Sequence, residues 1–167
     1  VLKGVFLDGP VGGLTYATPT FKNETRADGV FEYLPGETVT FSIGKLVLGS
    51  TPGKPVVTPL DMVPEARDAS DHRVVNICVV LQTLDEDGNP ENGIQISEKV
   101  SSVISRHHKS INLDQSARAF SFDGGFRSAM AELNYTDAFG DLPRAVKPPA
   151  VARKHLEATL KKLQEKK

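Results

Sequence analysis

SDHRVVNICVVLQTLD, residues 70 to 85, is the stretch on which the fold turns. Its residues Val74, Ile77, Cys78, Leu81 and Leu84 recur at i, i+3, i+4, i+7 and i+10, one face of a helix, although the valines and the isoleucine are strand formers. Length decides between the two, because strands run about 4–8 residues and helices about 10 or more. The segment therefore predicts a buried helix. Everything before it carries another period. In GVFEYL (residues 29 to 34) and ETVTFSI (residues 37 to 43) apolar and polar side chains alternate: Phe31 and Tyr33 against Val30 and Glu32, then Val39, Phe41 and Ile43 against Thr38, Thr40 and Ser42. A period of two puts one face of a sheet in a core.

Working outward, residues 1 to 58 predict strands in VLKGVFLD, GLTYAT, GVFEYL, ETVTFSI and KLVLG, punctuated by turns at Arg26 to Gly29 and Leu34 to Glu37. Strands so closely spaced are expected to pair as antiparallel neighbours. The span from Ser50 to Pro64 holds four prolines and reads as an extended crossover. Beyond the first helix, Ser97 is placed to cap a second with Val100, Val103 and Ile104 on one face, a weaker segment covers about Gly125 to Asn134, and Pro148 and Pro149 open a last helix with Ala152, Leu156, Leu160 and Leu163 as its apolar stripe. The expected fold is α+β: an antiparallel β-sandwich over residues 1 to 58, and a helical part over 59 to 167 packed on it.

Composition excludes several functions. The 167 residues carry 20 basic and 21 acidic side chains, so no positive field exists to hold a nucleic-acid backbone. No apolar run approaches the roughly 20 residues that span a bilayer. Cys78 is the one cysteine and lies among valines, which suits a small buried hydrophobe and leaves no intrachain disulfide. No Gly-x-Ser-x-Gly elbow, no metal-spaced histidines and no phosphate-binding glycine loop occur, and Gly9-Pro10-Val11-Gly12-Gly13 suits a hairpin turn. No catalytic residue is assigned. His107 and His108 are expected to complement the end of the second helix, and His72 and His155 to be solvated or hydrogen-bonded.

One stretch looks like a site. In residues 85 to 93, Asp85, Asp87 and Asn89 alternate, and Glu91 and Asn92 follow, so a tight loop would turn their oxygens around a hard cation such as calcium in a structural role. It is not an EF-hand, since Gly88 stands at the fourth position, Pro90 at the sixth and Ile96 at the twelfth. Two readings stay open: a cation loop, or an acidic turn made by Asp-Gly, Asn-Pro and Asn-Gly.

The opening GVFLDGPVGGLTY, followed by RADGVFEYLPGETVTFSIGKLVLGS, resembles transthyretin-like or carboxypeptidase-regulatory-like β-sandwiches, on Asp8, Pro10, Val11, Gly13, Asp28, Gly29, Phe31 and Tyr33. With TPLDMV, LQTLDEDGNPENGI and the closing HLEATL (His155 to Leu160), the chain resembles the N-terminal domains of exported bacterial surface lipoproteins. That resemblance implies an extracellular or outer-surface location and a lipid-bearing cysteine upstream of Val1. It also implies a non-enzymatic structural or adhesive role, with other surface proteins or further copies of the chain as partners. Self-assembly through the first strand would make a filament. The alternative is a calcium- or substrate-binding accessory domain of a larger secreted hydrolase.

Overall fold

A computed structural model of the chain describes residues 1–165; Lys166 and Lys167, the end of the expected helical part, lie outside the described residues. The strands run in chain order β1 (Leu2–Phe6), β2 (Val11–Gly12), β3 (Thr15–Ala17), β4 (Lys22–Glu24), β5 (Val30–Tyr33), β6 (Thr38–Ile43), β7 (Leu46–Pro52), β8 (Val56–Val57) and β9 (Ile94–Gln95). The helices are α1 (His72–Thr83), α2 (Glu98–His107), the single turn α3 (Ala117–Phe120), α4 (Gly124–Tyr135) and α5 (Pro149–Glu165). The class is α+β, as the change of period at Ser70 predicts.

Strands β4, β3, β6 and β7 form a four-stranded antiparallel sheet, and β5, β1 and β8 a three-stranded one. The inner faces meet through aromatic side chains: the Phe41 ring stands 4.9 Å from Phe6 and 5.0 Å from Phe31, both edge-on, and Tyr16 stands 5.9 Å from Phe31. Edge-to-face pairs of this kind add about 0.5–1.5 kcal/mol each beyond the area they bury. The expected turns form where expected, with Gly29 and Gly36 both at φ +83° and closed by Gly29 N–H to the Arg26 carbonyl and Glu37 N–H to that of Leu34. The outer strand β4 exposes all three of its polar residues, which suits an edge. The opposite edge, β7, is covered: Arg73 donates to the Leu48 carbonyl at 3.0 Å, and a 3-10 turn over Pro59–Met62 approaches Gly49 so closely that a Cβ there would meet the Met62 carbonyl.

The expectation of antiparallel neighbours throughout needs correction. β1 pairs antiparallel with β5 but parallel with β8, and β2 pairs parallel with β9, a strand from the helical half. The proline-rich crossover brings the chain back beside β1 in the same direction, and Pro55, which has no N–H, still accepts from Val5 N–H at 2.9 Å. The division at residue 58 is likewise no break in packing, because buried apolar residues of both halves form one continuous cluster.

Asp71 caps α1 by accepting from the N–H groups of Arg73 and Val74. Instead of one stripe, every residue from Val74 to Thr83 is buried. A helix buried all round belongs at a centre, and its polar Asn76 and Gln82 are hydrogen-bonded there. α1 packs against α5, α3 and the Pro59–Met62 turn, and each fully buried Val, Ile or Leu contributes about 1.5–3 kcal/mol, several times the few tenths that β-branching costs a helix. Burial outweighs propensity. On α5, Ala152 and Leu156 are fully buried and Leu160 partly so, as the stripe predicts. Ser97 caps α2 through Val100 N–H. His108 Nδ1–H donates to the Ser105 carbonyl as a C-terminal residue should, whereas His107 turns to Glu132 of α4.

Candidate functional site

The acidic loop begins where α1 ends. Leu84 closes the helix onto the Val80 carbonyl, and the next two residues are clamped to β9: Asp85 Oδ1 accepts from Gln95 N–H at 2.9 Å, and Glu86 N–H donates to the Gln95 carbonyl at 2.9 Å. β9 is held in turn by β2, where Gly13 at φ +84° lies so near the Ile96 carbonyl that any Cβ would collide with it. Asp87 organises the tip, with Oδ1 accepting from Asn89 N–H and Oδ2 from the Asn92 side-chain amide at 2.7 Å. Pro90 opens a 3-10 turn, Pro90–Asn92, whose cap is Asn89 Oδ1 accepting from Glu91 N–H.

The structure gathers three of the five expected oxygen-bearing residues. Asp85, Asp87 and Asn92 line one cleft together with Glu86, Gly93 and Gln95. Asn89 and Glu91 are turned away from it, and this corrects the five-residue shell. The Pro90 turn uses the Asn89 oxygen as its cap and carries Glu91 to the far side, where its exposed carboxylate lies 4.0 Å from His155 Nε2. Among the described residues no group of three or more His, Cys, Asp or Glu side chains is placed to hold a metal. Any cation here relies on two carboxylates, an amide and water.

The other face of the loop was not anticipated. Arg144 Nη1 donates to the carbonyls of Thr83 (2.8 Å) and Asp85 (2.6 Å) and Nη2 to that of Glu86, while Lys147 Nζ donates to the Gly88 carbonyl at 3.1 Å. The guanidinium also lies 4.2 Å above the Phe139 ring. The irregular segment PRAVK, residues 143 to 147, is thus a basic strap across the back of the acidic loop. Burial of Asp85 raises its pKa to about 6, with the nearby Asp87 carboxyl adding to the rise and the Gln95 N–H and the Arg144 charge opposing it. Asp87 is held below the usual range by the Asn89 N–H, the Asn92 amide and the Asp85 carboxyl.

A second polar cluster lies beneath the loop. Asp8, in the turn between β1 and β2, is fully buried. Its Oδ1 lies 2.7 Å from His155 Nδ1 on α5, and its Oδ2 accepts from Gln82 Nε2 on α1 at 2.9 Å. Gln82 also donates to the Ala152 carbonyl, and Gly9 N–H donates to Thr159 Oγ1. His155 Nε2 faces the Pro90 carbonyl at 3.1 Å. Both ring nitrogens meet acceptors, an arrangement that favours the doubly protonated imidazolium. Burial pulls its pKa down, but the Asp8 hydrogen bond and charge, the Pro90 carbonyl and Glu91 together leave it raised.

Cys78 also abuts Asp8, which gathers the three residue types of a nucleophilic set. Their order is wrong for one. The thiol's partner is the carboxylate, not the imidazole; burial and the Asp8 charge push the thiol pKa well up, and the His155 nitrogens are engaged by Asp8 and the Pro90 carbonyl instead of the thiol. The arrangement serves as a brace between the first turn and the last helix. Sequence periodicity missed this pairing; Asp8 and His155 stood out only as members of the two quoted motifs. The fold is α+β, and comparison of the chain with protein-family models, curated proteins and solved structures finds no match. No helix among the described residues is long and apolar enough to cross a membrane.

Proposed function

We propose that the chain is a non-enzymatic module of an exported bacterial cell-surface protein, with a structural or adhesive role. The observation that carries this reading is the Asp8, Gln82 and His155 brace. It ties both ends of the fold to the central helix and engages Asp8 and His155 with one another. The partners are other surface proteins or copies of the chain. β1 lies between β5 and β8 in its own sheet, so assembly through the first strand would proceed by exchange between copies rather than by addition. The alternative, an accessory domain of a larger secreted hydrolase, draws on the loop at Asp85 and shares the compartment.

Expression of the whole reading frame with an epitope tag in a Gram-negative host, followed by protease treatment of intact cells, tests the location. Cleavage in intact cells supports the surface reading, and protection until lysis overturns it. For assembly, light scattering of the purified chain with and without residues 1 to 7 is decisive: an unchanged size would remove the first strand from the account.

A further inference from the structure

Asp85 is 1% exposed, and its Oδ2 has no hydrogen-bond partner, although Oδ1 is fixed by the Gln95 N–H. A buried carboxylate oxygen left unpaired is costly, because it has given up its water and gained no donor. Arg144 and Lys147, the cationic side chains of the strap, donate to backbone carbonyls and leave Asp85 Oδ2 without a hydrogen-bond partner. Asp85 and Asp87, two acceptors, line the same cleft. Something positive belongs between them. The third member of the cleft, Asn92, presents an amide whose oxygen and nitrogen exchange places by a rotation, and this set of oxygens suits a hard cation.

We propose that the cleft between Asp85, Asp87 and Asn92 is a calcium site. Asp85 Oδ2, a carboxylate oxygen of Asp87 and, after rotation of its amide, the Asn92 oxygen supply the protein ligands, and water completes the shell. Calcium is favoured over magnesium because it accepts irregular ligand sets of variable number, whereas magnesium demands a near-ideal octahedron. Two carboxylates predict a dissociation constant in the range of extracellular modules, about 10⁻⁴–10⁻³ M. The ion ties the end of α1 to the loop tip from the front, as Arg144 and Lys147 tie it from behind. The site itself does not depend on the surface location; only the expectation that it is filled there does.

The test is calorimetric titration of the chelator-treated chain with calcium chloride and, separately, magnesium chloride, with thermal unfolding run in parallel. The expected result is one saturable calcium site, weaker magnesium binding, and a rise in melting temperature with calcium. Asp87→Asn, on the exposed tip, is expected to fold and to weaken calcium binding at least about tenfold. No saturable heat up to about 10 mM calcium, equal binding by wild type and Asp87→Asn, or tighter magnesium binding would each overturn the proposal. A chain insensitive to calcium but stabilised by Asp85→Asn would assign the space between the carboxyls to a shared proton, and overturn it too. Should Asp85→Asn fail to fold, Asp87→Asn decides alone. The surface location is tested separately by protease treatment, so either reading fails without the other.

Discussion

Asp8 Oδ1 and His155 Nδ1 lie 2.7 Å apart across 147 positions of the chain, with Asp8 completely buried and the His155 side chain only 10% exposed. This ion pair closes the fold, since it joins the turn after the first strand to the last helix. Removing one partner strands the other. Asp8→Asn and His155→Ala are each expected to cost about 3–5 kcal/mol, the usual penalty for halving a buried pair. The double variant should cost less than the sum. Urea unfolding of the two singles and the double measures the coupling, and strictly additive losses would mean that the pair is not interacting.

The same pair predicts a pH dependence. His155 has a folded pKa raised above its ordinary 6.5, so the stability it contributes is full below 6.5 and is lost as pH rises through the folded value. Asp85 titrates in a lower window: its unfolded value is 3.8 and its folded value about 6, so the folded state holds this proton longer and loses that advantage as pH rises through about 6. In chelator, unfolding free energy is expected to fall in two steps. His155→Gln should erase the upper step alone, and Asp85→Asn the lower one alone.

At pH 7.5 in chelator Asp85→Asn is expected to stabilise the chain. The new amide still accepts from Gln95 N–H and now donates to Asp87, which relieves the facing acceptors. A rise from 3.8 to about 6 corresponds to about 3 kcal/mol, and loss of the charge-assisted hydrogen bond from Gln95 N–H reduces the expected gain to about 1–2 kcal/mol. Chemical denaturation of the two proteins side by side gives the answer, and a loss of stability would contradict it.

Arg144→Met keeps the apolar stem over Phe139 but releases the carbonyls of Thr83, Asp85 and Glu86. Charge-assisted hydrogen bonds contribute about 1.5–3 kcal/mol each where the acceptor has no other partner. The expected outcome is a loss of about 2–3 kcal/mol in local opening, seen as faster amide exchange at Glu86 and Gly88. Exchange at Leu81 in the middle of α1 should stay slow, and equal acceleration in both places would show that Arg144 supports the whole fold instead of the loop.

Legibility in the sequence followed the range of the interaction. The change from period two in ETVTFSI to the helical spacing of VVNICVVL announced α+β, and the turns at Gly29 and Gly36, the Ser97 cap and the α5 stripe formed where expected. The acidic loop was visible from its alternate carboxylates. Its true membership was not, because the exclusion of Asn89 and Glu91 depends on the Pro90 turn, and the basic strap is some 60 positions away.

What the sequence determined by itself is therefore local: element type, turn positions, the Ser97 cap, and the residues around which a cation site was sought. The tertiary structure alone decided the parallel partners of β1 and β2, the complete burial of α1, the facing of Asp85 by Asp87 and the meeting of Asp8 with His155. Periodicity and turn chemistry act over a few residues, where backbone geometry imposes a repeat. A contact across 147 positions leaves no repeat to read, and is set only when every apolar face has found its cover.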